Sequence, residues 1–237
     1  MVLKKGGNTL DFSVRNFGVI NIGGVEVWIT ETLVNTWIIM FALIVLAVIV
    51  RIKLQKFSDV PGIFQNVMEV IIEAFDGFVE NSAGERLIYL GNWFFMVFLF
   101  ILTSNLSGLI GLRPPTADWT VTFTFAIITF MLIQFAGARY RKLAYVKSFF
   151  QPNFIFFPLN IIGELARPIS LSFRLFGNIL GGMILISLVY TLAPIYTLFV
   201  LPVALHAFFD VIAGVLQTYI FCVLSLSFIG AMAADDA

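Results

Sequence analysis

Four charged residues stand where charge is expensive: Glu164, Arg167, Arg174 and Asp210 lie in or beside long apolar runs, with His206 and Gln217 as polar neighbours. A lone Arg or Asp at the bilayer centre costs on the order of 3 kcal/mol by insertion scales, so each needs a reason to be there. Arg174 belongs to the run Arg167-Pro168-Ile169-Ser170-Leu171-Ser172-Phe173-Arg174-Leu175-Phe176-Gly177-Asn178, and the next acidic residue toward the C-terminus is Asp210. Ser170 and Asn178 fall one helical turn to either side of Arg174, so the guanidinium joins a polar stripe. The alternative is an arginine that snorkels to a helix end. Against it, Arg174 lies 20 residues before Pro194, roughly 30 Å of helix. A matching stripe follows, with His206, Asp210, Gly214 and Gln217 at i, i+4, i+8 and i+11. Asp210 has no cation beside it in sequence, and a carboxyl so placed is suited to carrying a proton. His206 reads equally well as a hydrogen-bonded interfacial histidine, and Gln217 as a plain helix–helix hydrogen bond.

The composition says what must position these groups. Of 237 residues, 60% are hydrophobic and 12% charged, 27 are Phe, and the mean hydropathy is +0.99. That is about half the usual charge of a globular protein, and no water-soluble core could hide so much apolar surface. The same apolar excess excludes disorder, and Cys222, the single cysteine, excludes a disulfide scaffold. Fourteen basic and fourteen acidic residues cancel, so nothing indicates nucleic acid. The chain reads as an all-α integral membrane protein.

A bilayer core of about 30 Å takes about 20 apolar helical residues. Charge-free stretches at 32–50, 87–112 and 119–138 meet that length as transmembrane helices, as does 211–234. From Leu175 to Phe209, 35 residues pass without Asp, Glu, Lys or Arg. A turn near Pro194 divides this region into helices over 160–192 and 195–234, a hairpin too long to stand perpendicular to the membrane. About five spans result. Residues 59–82 alternate apolar and acidic faces, with Ser58 or Asp59 to cap and Pro61 in the first turn, which predicts an amphipathic helix at the membrane surface. Residues 1–31 form the remaining, extracytoplasmic segment and lack the apolar core of a cleavable signal peptide. Lys and Arg number eight in the loops after the first and third spans against four on the other side. That bias places the N-terminus outside and the C-terminus in the cytoplasm.

The hairpin brings the stripes together. Arg174 lies 20 residues before Pro194 and Gln217 lies 23 after it. Antiparallel packing therefore sets them at nearly equal depth, with Asp210 about 10 Å nearer the turn and Met183 close to Asp210. Asp210 and His206 then mark a route from the outer face; Glu164, Arg167 and Ser170 mark the inner side of Arg174. Gly177, Gly181 and Gly182 offer a small-residue surface, for a partner helix or for packing within the chain.

The Arg167–Asn178 run, followed by Gln217-Thr218-Tyr219-Ile220-Phe221, resembles the signature of the subunit a family of F-type ATP synthases. Asn105-Leu106 and Pro115-Thr116-Ala117-Asp118 fit as well, and the likeness spans the chain. The resemblance implies a stator subunit packed against a rotating c-ring whose subunits each carry one membrane-embedded carboxylate. It also implies two offset half-channels that admit and release a proton, with sodium as the alternative. Arg174 matches the family's essential arginine, and Asn178 and Gln217 match polar residues lining its site. Gly177, Gly181 and Gly182 then face the ring. The remaining partners implied are subunit b with the peripheral stalk and the rest of the synthase, in a bacterial inner membrane. No cofactor is implied. The chain departs from the family in one place: some members carry a glutamate nine residues after the arginine and a histidine seven before the glutamine, where this chain has Met183 and Asp210. That leaves Asp210 to take the ionisable role alone.

Rival readings fare worse. An intramembrane hydrolase using Asp210 and His206 lacks a second deep Asp, a His-Glu-x-x-His and a Gly-x-Ser-x-Gly. A secondary ion transporter would show two related halves, and none are visible. A phosphate-cradling loop is also missing from the sequence, so the chain is not expected to be an enzyme by itself.

Overall fold

The computed structural model describes residues 2–5, 8–11, 15–22, 25–54, 62–192 and 201–234. The turn expected near Pro194, and the caps expected at Ser58, Asp59 and Pro61, lie outside the described residues. Five helical segments are long and apolar enough to cross a membrane: Glu31–Lys53, Glu85–Ile110, Trp119–Arg141, Phe154–Leu192 and Leu201–Ala233. The protein is an all-α, multi-pass membrane protein.

Two antiparallel hairpins precede the helices, an addition to what hydropathy indicated for this segment. They pair β1 (Val2–Lys5) with β2 (Asn8–Asp11), and β3 (Asn16–Ile22) with β4 (Val25–Thr30). The second is tied to the first span by the Glu31 N–H, which donates to Arg15 O at 2.9 Å. That span, α1 (Glu31–Leu54), is peripheral, only 11% of its apolar window being buried. The Asn35 amide donates to Arg113 O at 2.9 Å and so holds α1 to the loop beyond the second span.

α2 (Ile63–Ala83) is amphipathic: Val79 and Ala83 are buried, while Ile63, Val67, Val70 and Ile71 are exposed. Its C-terminal end docks on the last span, where a Cβ on Gly230 would come within 2.7 Å of Ala83 Cα. α3 (Gly91–Leu106) buries Phe94, Val97, Ile101, Ser104 and Asn105, a helical repeat of three and four. In α4 (Trp119–Ala136) the buried face is small: Thr122, Ala126, Thr129, Ile133 and Ala136. Without a hydrophobic drive between helices in lipid, such faces associate by close packing, and α4 lies against both α6 and α8. Asp118 caps α4 by accepting from Thr120 N at 3.0 Å. The short α5 (Leu143–Ser148) follows.

α6 (Phe157–Leu192) runs 36 residues without interruption, about 54 Å of helix. A bilayer core is about 30 Å thick, so α6 must tilt or run on into the interface. Its inward face is Pro168, Leu171, Ser172, Leu175, Ile179, Gly182 and Ile186. The return strand of the hairpin is α7 (Leu201–His206), a wide π segment (Ala207–Ala213) and α8 (Gly214–Ala233). α8 is central, packing on α2, α3, α4 and α6.

The α2–α8 junction is testable. Gly230→Ala forces a methyl into the Ala83 backbone, an overpacking that costs about 1–3 kcal/mol. It should lower the thermal midpoint of the detergent-solubilised complex. Gly77→Ala on α2, which meets nothing within 4 Å, should leave that midpoint unchanged or raised.

Candidate functional site

Arg174 stands on the outward side of α6, exposed, and lines an open cavity of about 240 Å³ with Gly163, Arg167 and Ser170. Among the described residues it has neither a hydrogen-bond nor an ion-pair partner. Both helix neighbours on its face are bare: a Cβ on Gly177 or Gly181 would meet nothing within 4 Å. Gly182, expected on the same surface, is turned inward. It is buried, and a Cβ there would reach Phe209 at 2.9 Å. One residue is about 100° of helix rotation, so adjacent glycines at 181 and 182 look opposite ways: Gly181 outward, Gly182 into the hairpin.

One turn beyond Arg174, the Asn178 amide donates to Gln217 Oε1 at 2.7 Å and ties α6 to α8. Gln217 is 2% exposed, yet its Nε2 has no partner among the described residues. Buried amide groups are seldom left open, and each exception calls for an explanation.

On the Asn178 side lies a large cavity, about 600 Å³, lined by Asn178, Met183, Tyr190, His206 and Asp210, with Arg15, Glu31 and Arg113 also on its wall. His206 Nδ1 and Asp210 Oδ2 are 2.5 Å apart. The carboxyl therefore does not stand alone, as the sequence suggested. An imidazole four residues back, one turn along the same helix, is its partner. An imidazole that donates from Nδ1 leaves Nε2 to accept, and the Tyr190 hydroxyl is 3.4 Å from it. Met183 and Asp210 line the same cavity, but Met183 contributes no titratable group.

Of the four-residue stripe on the second helix, His206, Asp210 and Gly214 stay together and Gln217 parts from them. Asp210 lies against Gly108 just beyond α3, and Gly214 against Asn105, whereas Gln217 reaches α6. The π segment between His206 and Gly214 breaks the 3.6-residue repeat on which the stripe was built.

On the other side of Arg174, Arg167 Nη1 pairs with Glu164 at 3.0 Å and stacks over Phe228 at 5.4 Å. Glu164 and Arg167 line a further cavity of about 290 Å³ with Tyr145 and Asn160. Gly163 and Arg167 border both this cavity and the one at Arg174. Sequence reasoning passed over Tyr145. Its hydroxyl donates to Gln134 Oε1 at 2.6 Å. Burial first, then the Glu164 carboxylate, pushes its phenol above the ordinary value.

Asn105, which the sequence singled out only for its likeness to the family, has a role that the fold reveals. It is 1% exposed and saturated: Nδ2 donates to Gly214 O at 2.9 Å and to Thr218 Oγ1 at 3.1 Å, while Oδ1 accepts from Thr116 Oγ1 at 2.7 Å. A buried amide amid phenylalanines was the available signal. The site thus comprises an unpaired guanidinium on an open helix face, with solvent-sized cavities to either side. One ends at Asn178 and the other at Arg174, a single turn apart.

Comparison with known proteins places this geometry. Residues 33–230 match the family model for the ATP synthase A chain. The chain is similar to ATP synthase subunit a of Moorella thermoacetica, 37% identical over 85% of this chain and 89% of that one. It is similar also to ATP synthase subunit a 2 of a Bradyrhizobium species, 36% identical over 88% and 91% of the two chains. A third relative, from Propionigenium modestum, is named ATP synthase subunit a, sodium ion specific, and is 31% identical over 87% of this chain and 75% of its own. With the family model covering most of its length, this chain belongs to the ATP synthase A chain family.

Proposed function

We propose that this chain is the stator of a rotary ATP synthase and couples ion flow across the membrane to rotation of a c-ring. The observation that carries the proposal is Arg174, a charge on an exposed face of a membrane helix with no partner among the described residues. An uncompensated guanidinium in hydrocarbon is costly, so the counter-charge comes from outside the chain. A ring of carboxylates passing along α6 supplies it. The bare surface at Gly177 and Gly181 lets a ring helix approach.

Each part of the site then has a task. Near Arg174 a ring carboxyl is held ionised, because an adjacent opposite charge favours the charged form. Once rotation carries it off, it takes up an ion from one cavity. Asp210, with His206, stands at the loading cavity on the outer side. Glu164, Arg167 and Ser170 line the route on the inner side. The positive charge between the two cavities opposes direct cation leak from one to the other. Asn178 and Gln217 hold α6 and α8 together at this partition, and the open Gln217 Nε2 is a donor for a passing carboxylate.

The proton is the ion this arrangement serves most simply, since a hydrogen-bonded imidazole and carboxyl hand on protons. Sodium is the second reading, favoured by the name of the Propionigenium relative. The N-terminus lies outside and the C-terminus in the cytoplasm of a bacterial cell membrane. Subunit b and the peripheral stalk anchor the chain. It neither binds nor hydrolyses nucleotide by itself.

In the assembled complex, Arg174→Ala should abolish ion-driven ATP synthesis while leaving the amount of complex in the membrane unchanged. Normal synthesis by that variant would overturn the assignment. Asp210→Asn should slow proton conduction on the order of 10²-fold, the usual effect of removing a positioned proton-transfer group. Undiminished conduction in reconstituted vesicles would remove Asp210 from the path. ATP-driven pumping by the whole complex in sodium-free medium supports the proton; a strict sodium requirement supports the alternative.

A further inference from the structure

The π segment Ala207–Ala213 carries Asp210 against Gly108 and leads into α8, where Gln217 bonds Asn178. At its end the Gly214 N–H donates to Phe209 O, five residues back. A π turn takes in one residue more than an α turn, and one residue amounts to about 100° of helix rotation. The segment therefore sets the phase between Asp210 and Gln217. In an unbroken α-helix, residues seven apart share a face. Here Asp210 sits at Gly108 on the wall of the large cavity, while Gln217 bonds Asn178 on α6. Closing the π segment into α-helix would take one of the two out of position.

Three elements hold the segment open. Beyond the end of α3, Gly108 has no side chain, and a Cβ there would lie 3.0 Å from Asp210 Oδ2 and 3.1 Å from its Cγ. From α6, Gly182 makes room for Phe209, whose Cδ1 would be 2.9 Å from an added Cβ. From α3, Asn105 Nδ2 donates at 2.9 Å to Gly214 O, which also accepts from Thr218 Oγ1 at 2.8 Å. Gly214, whose N–H closes the segment, thus has its carbonyl held by two side chains. Thr116 fixes the Asn105 amide in turn.

We propose that Gly108 and Asn105 are positioning residues for ion transfer: they lock the π segment so that the Asp210 carboxyl stays on His206 at the cavity wall while Gln217 stays on Asn178. The proposal rests on the reading that Asp210 lies on the ion path. The titratable and charged groups facing that cavity are Arg15, Glu31, Arg113, Tyr190, His206 and Asp210. Of these, the lock governs the placement of Asp210 against His206.

The test is passive proton conduction by the assembled membrane sector in vesicles, measured across pH. Gly108→Ala puts a methyl against the carboxyl and should lower conduction on the order of tenfold or more, as displacement of a reacting group does. It should also displace the midpoint of the pH profile, because the Asp210–His206 contact changes. Thr116→Val keeps the shape but frees the Asn105 amide; it should move the profile in the same way and is the variant to read if Gly108→Ala fails to assemble. Gly77→Ala is the neutral control. A profile that stays at the wild-type midpoint, whether conduction is normal or uniformly reduced, overturns the positioning role. The two readings fail separately: normal conduction by Asp210→Asn overturns the ion path itself. Lost conduction by Asp210→Asn with an unmoved Gly108→Ala profile overturns only the lock.

Discussion

The cost of an uncompensated charge in an apolar medium organises this molecule. Arg174 has cavities with room for water on either side and open helix face in front, with no acid of its own chain within bonding reach among the described residues. A fixed cation of this kind persists only where its compensation arrives from elsewhere. The length of α6, its bare glycines and the placement of its polar neighbours all bear on how one guanidinium is presented on an open helix face.

Polar groups elsewhere in the core obey the opposite rule. Asn105 uses both its amide hydrogens and its oxygen, and Thr116 and Thr218 close the network around it. A satisfied network in low dielectric is rigid, because each bond is strong and each loss leaves a desolvated group behind. The half-used Gln217 amide stands one helix away. Saturation therefore separates Asn105, which holds helices together with every polar atom, from Gln217, which keeps one donor open. Glu164 and Arg167 are intermediate: they compensate each other, yet Arg167 borders two cavities and Glu164 one of them.

Much of the architecture is legible in the chain, since a helix that crosses a bilayer must be apolar along its length. The runs that yield the spans, the amphipathic pattern of α2 and the deep Arg174 need no tertiary information. The spacing of His206 and Asp210 was available as well. Their contact, Nδ1 to Oδ2, is set by side-chain conformation, which spacing alone does not carry. The two N-terminal hairpins give no comparable hydropathy signal. Gly181 and Gly182 show the limit more sharply: identical residue types at adjacent positions take opposite faces, and only the packing of Phe209 reveals which one is inside.

By itself the sequence determined that the protein lives in a membrane, that its helices are long, and that one arginine and one aspartate sit deep within them. Those properties are sums over neighbouring residues, and a bilayer reads them locally. The tertiary structure alone decided how the helices are turned about their axes. The π segment displaces the phase of the second helix, parting Asp210 from Gln217 and seating each against a different neighbour. Helix phase depends on contacts between residues a hundred positions apart, such as Asn105 with Gly214, and no regular periodicity carries that information.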